Sequence, residues 1–228
     1  MKLRAFAHVA LMAFVAASAQ CQTPAEAAAP QLHPLVLNLT RYRVQAGESV
    51  GLDAPSETID FLVHASSRHV EIDGKEAHGI VIAPNRAGNQ VLVAASLRMK
   101  PGDYAVTLSA VTGAGETRNA SLSVLVDALP PVPSSPARPP VVLLNGWQIS
   151  FSSSCPVSPT GSVETFGPLQ QDLLTGINGP SYSVPAVYFF DNCKECPSCQ
   201  IQDLGSALAQ FLNMIQYNLS YAPWRARV

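Results

Sequence analysis

Charge is scarce in this chain. Only 13% of its 228 residues are Asp, Glu, Lys or Arg, with 14 basic against 16 acidic side chains and a formal net charge of −2. No basic face stands out, which argues against nucleic acid as a partner. Histidine is missing after His78, so the longer, C-terminal part of the chain has no imidazole to serve as a base. Neither Cys nor Trp lies between Cys21 and Trp147, which excludes the Cys–Trp–Cys core of antibody-type domains from that stretch. No apolar run approaches the about 20 residues needed to cross a bilayer, so no transmembrane span is expected.

What is present begins with a targeting pattern. Lys2 and Arg4 precede an apolar stretch from Ala5 to Ala17, and Ala17-Ser18-Ala19 has the small-x-small form of a cleavage site. Residues 1–19 therefore read as a secretory signal peptide, and the expected location is secreted or periplasmic. The five cysteines are Cys21, Cys155, Cys193, Cys196 and Cys199, an odd number in a chain that is free to form disulfides. A lipid on Cys21 would restore parity. Ser18 and Gln20, however, stand where a lipoprotein signal favours Leu and a small residue, so an ordinary signal peptide is the preferred reading. Residues 20–34 are rich in Ala and Pro and read as a disordered spacer.

From 35 to 127 the pattern is one of short β-rich runs. Strands are expected at Thr58–His64, His69–Asp73, Gly79–Ala83 and Gln90–Leu97. In "DYAVTLSAV", Tyr104, Val106, Leu108 and Ala110 alternate onto one face, and Leu122, Val124 and Val126 do the same in "NASLSVLV". Asp73-Gly74 suits a tight turn with positive φ. His64 and His69 read as surface residues and not as metal ligands. The run "PGDYAVTLSAVTGAGETRNASLSVLV" resembles bacterial immunoglobulin-like (Ig-like) domains, which implies a β-sandwich over 35–127 and a role in binding or adhesion.

Residues 128–139 form a proline-rich linker; "LPPVPSSPARPP" has six prolines in twelve residues, and proline neither donates to a ladder nor joins a sheet interior. After it the order changes to strand, helix, strand, helix, which argues for an α/β layer over 140–228. "VVLL" (Val141–Leu144) suits a strand buried on both faces. Phe166, Leu169, Leu173 and Leu174 share a helical face that Gly176 should stop. Val184–Phe190 is the second strand. Ile201, Leu204, Leu208, Phe211 and Ile215 mark the second helix.

"PVVLLNGWQ", "FGPLQQDLL", "VPAVYFFDN" and "IQDLGSALAQFL" together resemble the early part of secreted α/β-hydrolases of the lipase/esterase kind. That resemblance implies an ester or lipid substrate, serine chemistry and no cofactor. Asn145-Gly146 would form the turn of the oxyanion loop, and Trp147 and Gln148 would offer backbone N–H groups to the oxyanion. No G-x-S-x-G and no His occur within 140–228, so no catalytic residue can be assigned there. The chain stops where the fifth strand of that family would start. A truncated and inactive product is expected.

Cys193-Lys-Glu-Cys196-Pro-Ser-Cys199 has a spacing that suits zinc or iron–sulfur ligation in a cytosolic chain. In a secreted chain Cys155, Cys193, Cys196 and Cys199 are better read as disulfide partners. One bridge from Cys155 into the cluster and one within it would use all four, and a redox-active Cys196–Cys199 pair is a third possibility. The pairing is open, because four cysteines allow three connectivities. The expected architecture is multidomain: an all-β Ig-like sandwich followed by an incomplete α/β-hydrolase-type fragment.

Overall fold

The computed structural model describes residues 33–130, 138–144, 155–157, 163–196 and 199–219. The signal peptide, Cys21, the bulk of the spacer, the centre of the linker and the oxyanion-loop candidates Asn145, Gly146, Trp147 and Gln148 lie outside the described residues. In chain order the strands of the first part are β1 (His33–Pro34), β2 (Arg41–Gln45), β3 (Ser49–Gly51), β4 (Ser67–Ile72), β5 (Lys75–Glu76), β6 (Ile80–Pro84), β7 (Val91–Ala95), β8 (Gly102–Val111) and β9 (Thr117–Asp127), with helix α1 (Ser56–His64) between β3 and β4. One sheet runs β1-β9-β8-β4-β5, with β2 also on β9; the other runs β3-β7-β6. The protein is mostly β-sheet with few helices, and these two sheets make a β-sandwich.

Its core follows from the pleat. Val106, Leu108 and Ala110 of β8 and Ala120, Leu122, Val124 and Val126 of β9 point inward. They meet Ile80 and Ile82 of β6 and Val91, Val93 and Ala95 of β7 in a single cluster. Period-two side chains can bury one face of a strand and leave the other to water. The β4–β5 hairpin turns at Asp73 (φ 52°) and Gly74 (φ 71°), the two positive φ values that this tight turn needs.

One expected strand is a helix. Thr58–His64 lies in α1, where Pro55 sits at the N-cap and its carbonyl accepts from the N–H groups of Thr58 and Ile59 at 2.9 and 3.1 Å. The buried residues Thr58, Phe61, Leu62 and Ala65 recur at the three- and four-residue steps of a helix. Packing of that face onto the sandwich overrides the β preference of Thr, Ile, Phe and Val.

The second part contains β10 (Val141–Leu144), α2 (Val163–Thr175), a 3-10 turn at Pro180–Tyr182, β11 (Val187–Phe190), α3 (Asn192–Glu195) and α4 (Ile201–Leu219). β10 and β11 pair in parallel, Val141 opposite Val187 through Leu144 opposite Phe190. β10 is not buried on both faces: its residues are half-buried and Leu144 is 45% exposed, since its described partner is β11 alone. α2 begins early enough for Pro168 to fall inside it. Its Leu169 and Leu174 are exposed and Phe166 and Leu173 half-buried, so the helix is only thinly covered. Gly176 (φ +82°) does stop α2; a Cβ there would run into the Gly179 carbonyl. On α4, Leu204, Ala207, Phe211 and Ile215 are buried, whereas Ile201 opens the helix and is exposed.

The described residues from His33 onward fall in one compact unit. The outward residues of the small sheet, Val81, Ala83, Leu92 and Ala94, are buried against Val157 and Cys193. The Val157 N–H adds to the edge of β6 by bonding the Pro84 carbonyl at 3.0 Å. Leu97, just after β7, packs with Tyr188, Phe190, Ala207, Phe211 and Ile215. Every residue of β6 and β7 is consequently buried. Limited proteolysis of the full chain is therefore expected to leave the sandwich, β11 and α4 together in one resistant species. Phe211→Ala, at a cost of about 3–5 kcal/mol, should release the C-terminal piece first, as read by mass spectrometry of the fragments.

Candidate functional site

The densest chemistry lies where the second part meets the sandwich. Asp191 follows β11 and caps α3, its Oδ1 accepting the Cys193 N–H at 2.9 Å. α3 is a single turn whose Cys193, Lys194 and Glu195 are all buried. Lys194 is 2% exposed, and its Nζ donates to the Gly47 carbonyl at 2.9 Å. Gly47 sits in the turn from β2 to β3 with φ +86°, and a Cβ there would strike Leu97, so only glycine brings this carbonyl into place. Glu195, 1% exposed, accepts from Arg98 Nε at 2.6 Å, while Arg98 Nη1 donates to Gln210 Oε1 of α4 at 2.9 Å. Burial pushes the Lys194 pKa down, opposed by the nearby Asp191 and Glu48 carboxylates. Burial pushes the Glu195 pKa up, opposed by Arg98 and the Leu97 backbone.

Disulfides flank this pair on both sides. Cys155 bonds Cys193 (Cα–Cα 5.5 Å), and Cys196 bonds Cys199 (Cα–Cα 5.3 Å). The first ties the Val157 edge segment to the turn of α3 against Val81, Ala83, Leu92 and Ala94. The second lies beside His78, which projects from the connection between β5 and β6; its ring nitrogen and the two sulfurs lie within 4.8 Å of one another.

The other histidines are placed elsewhere. His64 Nδ1 contacts the carbonyl and carboxylate of Asp60 on its own helix, at 2.9 and 3.2 Å, and His69 is exposed on β4. One G-x-S-x-G does occur, Gly47–Gly51, but it falls in the sandwich. There Ser49 opens β3 and pairs antiparallel with Ala94 of β7, whereas a nucleophile elbow joins a strand to a helix. Sequence reasoning did not single out Lys194, Glu195, Arg98 or His78. A signal for the first two existed: a charged pair enclosed by cysteines that must pack inward is held away from solvent.

Two further surfaces carry polar chemistry. On the open face of the large sheet, Arg43 bonds Asp127 through Nε at 2.6 Å and Nη2 at 3.1 Å. Nearby, Asp103 accepts from Arg41 at 3.0 Å and from the Ser123 hydroxyl. Beside α1 an open groove of ≈ 760 Å³ is lined by Ala54, Ser56, Glu57, Ile59, Asp60, Val63, Gly88 and Asn89. Among the described residues no helix is long and apolar enough to cross a membrane.

No protein-family model and no curated protein matches the chain. Among solved structures, InlP of Listeria monocytogenes is 21% identical over 39% of this chain and 26% of its own, with a TM-score of 0.29; the chain thus spans about a quarter of InlP's length. PcoC, a methionine-rich copper resistance protein from Escherichia coli, is 13% identical over 41% of this chain and 99% of its own, at TM-score 0.28. The PKD domain of the KIAA 1837 protein is 17% identical over 44% of this chain and 91% of its own, at TM-score 0.26. These likenesses are too slight to bear on function.

The Arg98–Glu195 pair makes a testable site. A carboxyl whose folded pKa lies above its unfolded value contributes stability that is present at low pH and lost as pH rises through the folded value. Removing the guanidinium raises the Glu195 pKa further and leaves a buried carboxylate unpaired. Arg98→Ala should therefore cost about 3 kcal/mol at neutral pH. The penalty should shrink as pH falls toward the ordinary Glu value of about 4.3, as measured by urea unfolding at a series of pH values.

Proposed function

We propose that the chain is an extracytoplasmic Ig-like binding or adhesion module whose C-terminal segment braces the sandwich. The groove beside α1 carries this reading. Glu57, Asp60 and Asn89 supply hydrogen-bonding groups at its wall, while Ile59 and Val63 give it apolar surface. The groove is open to solvent and offers polar and apolar contacts side by side, which suits an extended ligand laid on the surface better than an enclosed small molecule. The two disulfides and the cleavable leader expected from residues 1–19 support an oxidising compartment outside the cytoplasm.

A second reading is the front part of a secreted carboxylic-ester hydrolase acting on an ester or lipid substrate. It is favoured by the in-register parallel pair β10–β11, with α2 between the strands and α4 after them, the order of the early α/β-hydrolase sheet. In that reading Trp147 and Gln148 supply oxyanion N–H groups, with Asn145 and Gly146 shaping the turn.

Two assays separate the readings. The purified chain should be retained by at least one polymer class on an array of extracellular glycans and matrix proteins. Asp60→Ala with Asn89→Ala should weaken that retention at least about tenfold, the loss of about 1.4 kcal/mol expected when a groove's hot-spot contacts are truncated. Short- and long-acyl esters should not be turned over by the chain. Ester turnover, or binding that ignores the groove variant, would overturn the module reading.

A further inference from the structure

We propose that His78, Cys196 and Cys199 form a reduction-gated site for a thiophilic d10 cation, Zn²⁺ or Cu⁺. The donors come from two distant parts of the chain, His78 and the Cys196–Cys199 pair, and lie within 4.8 Å of one another. Zinc–sulfur and zinc–nitrogen bonds of about 2.3 and 2.0–2.1 Å set donors roughly 3.5–4 Å apart, so the imidazole needs to close by at most about 1.3 Å while the two sulfurs, no longer bonded, move apart. Two thiolates and an imidazole are soft and borderline ligands, which select zinc and cuprous ions over oxygen-seeking Mg²⁺ or Ca²⁺.

Each donor is held by backbone that does not depend on the Cys196–Cys199 bond. On one side of His78 the Ala77 N–H bonds the Val70 carbonyl at 2.7 Å, and on the other the Gly79 carbonyl accepts the Ser96 N–H at 2.7 Å. Gly79 takes φ +97°, and a Cβ there would meet Met99 Sδ and Ser96 Oγ, so the chain beside His78 passes close under its neighbours. Cys196 closes α3, its N–H on the Asn192 carbonyl at 3.1 Å, and the Cys199 N–H returns to the Cys196 carbonyl at 3.3 Å. Lys194 and Glu195 fix that turn to the sandwich. The two sulfurs therefore remain neighbours of His78 when the bond between them opens.

Opening consumes two electrons and two protons. A dithiol reductant supplies them, becoming a disulfide itself while Cys196 and Cys199 become thiols. Each thiol then releases its proton to solvent as its sulfur bonds the cation, and His78 contributes a neutral nitrogen lone pair. The bridges should open in order. Cys193 is buried and its bond to Cys155 packs against Val81, Ala83, Leu92 and Ala94, whereas Cys199 is half-buried beside the exposed Gln200, so an attacking thiolate reaches the Cys196–Cys199 bond first. The bound ion would then tie the sandwich to the C-terminal segment where the disulfide had tied only a local turn.

The test uses the full chain, reduced with a mild dithiol without oxygen and then freed of reductant. Reduction should add two titratable thiols per chain to the one that the fifth cysteine, Cys21, already contributes. Zn²⁺ in competition with a chromophoric chelator, or Cu⁺ in competition with a cuprous chelator, should bind one ion per reduced chain and none to the oxidised chain. His78→Ala removes an exposed side chain without disturbing the core and should weaken the ion at least about tenfold, the lower end of what even outer-shell changes cost a metal site. Release of four thiols together, failure of the dithiol form to bind either ion, or unchanged affinity in His78→Ala would overturn the proposal.

Discussion

Burying a lysine beside a glutamate in a single helical turn is the constraint on which the arrangement of this chain depends. An unpaired buried charge costs several kcal/mol, so α3 can dock only where both charges find partners. Those partners are fixed points of the sandwich: the Gly47 carbonyl in the β2–β3 turn and the Arg98 guanidinium after β7. The apolar patches on either side, around Val157 and Cys193 and around Phe190 and Phe211, supply buried area but little direction. The charges supply the register. Gln210, bonded to the same Arg98, carries that register on into α4.

Much of the sandwich was readable because its strands obey one rule. β8 and β9 alternate cleanly, and Asp73-Gly74 could hardly form anything but a tight turn. The failures were of two kinds. α1 was read as a strand because Thr58, Ile59, Phe61 and Val63 favour sheets, although the spacing of Thr58, Phe61, Leu62 and Ala65 is helical. The logic of continuous apolar runs was applied to Val141–Leu144, which proves half-exposed, and not to Ile80–Ala83 and Val91–Ala95, which are buried on both faces. Those unbroken runs signalled that something must cover the outer face of the small sheet.

At the site, residue types were legible and partners were not. Three cysteines crowded at 193–199, with a fourth 38 residues upstream, announce cross-linking, but nothing local to Cys196 and Cys199 points to His78, because only the docking of α3 brings them together. Lys194 and Glu195 look like a solvated pair until the disulfides on either side are seen to pull their turn inward. The two sheets also differ in what they leave to water. The small sheet is covered, while the large sheet keeps a polar outer face laced by Arg41, Arg43, Asp103 and Asp127, and the groove beside α1 opens at the sandwich surface. Both of those polar surfaces belong to the sandwich, whereas the second part leaves apolar side chains such as Leu144, Leu169 and Leu174 exposed.

The Cys155–Cys193 bond has a consequence for how this chain can change. Val157 is stitched to the β6 edge and Cys193 is sunk into the outer face of the small sheet, so the two ends of the intervening stretch are pinned side by side. Closing a longer loop between fixed ends costs only about 0.6 kcal/mol for each doubling of its length. The stretch between Val157 and β11, which contains the thinly covered α2, is therefore a port. An element can be lengthened, exchanged or inserted there with its ends already anchored, and the sandwich beneath need not be re-registered.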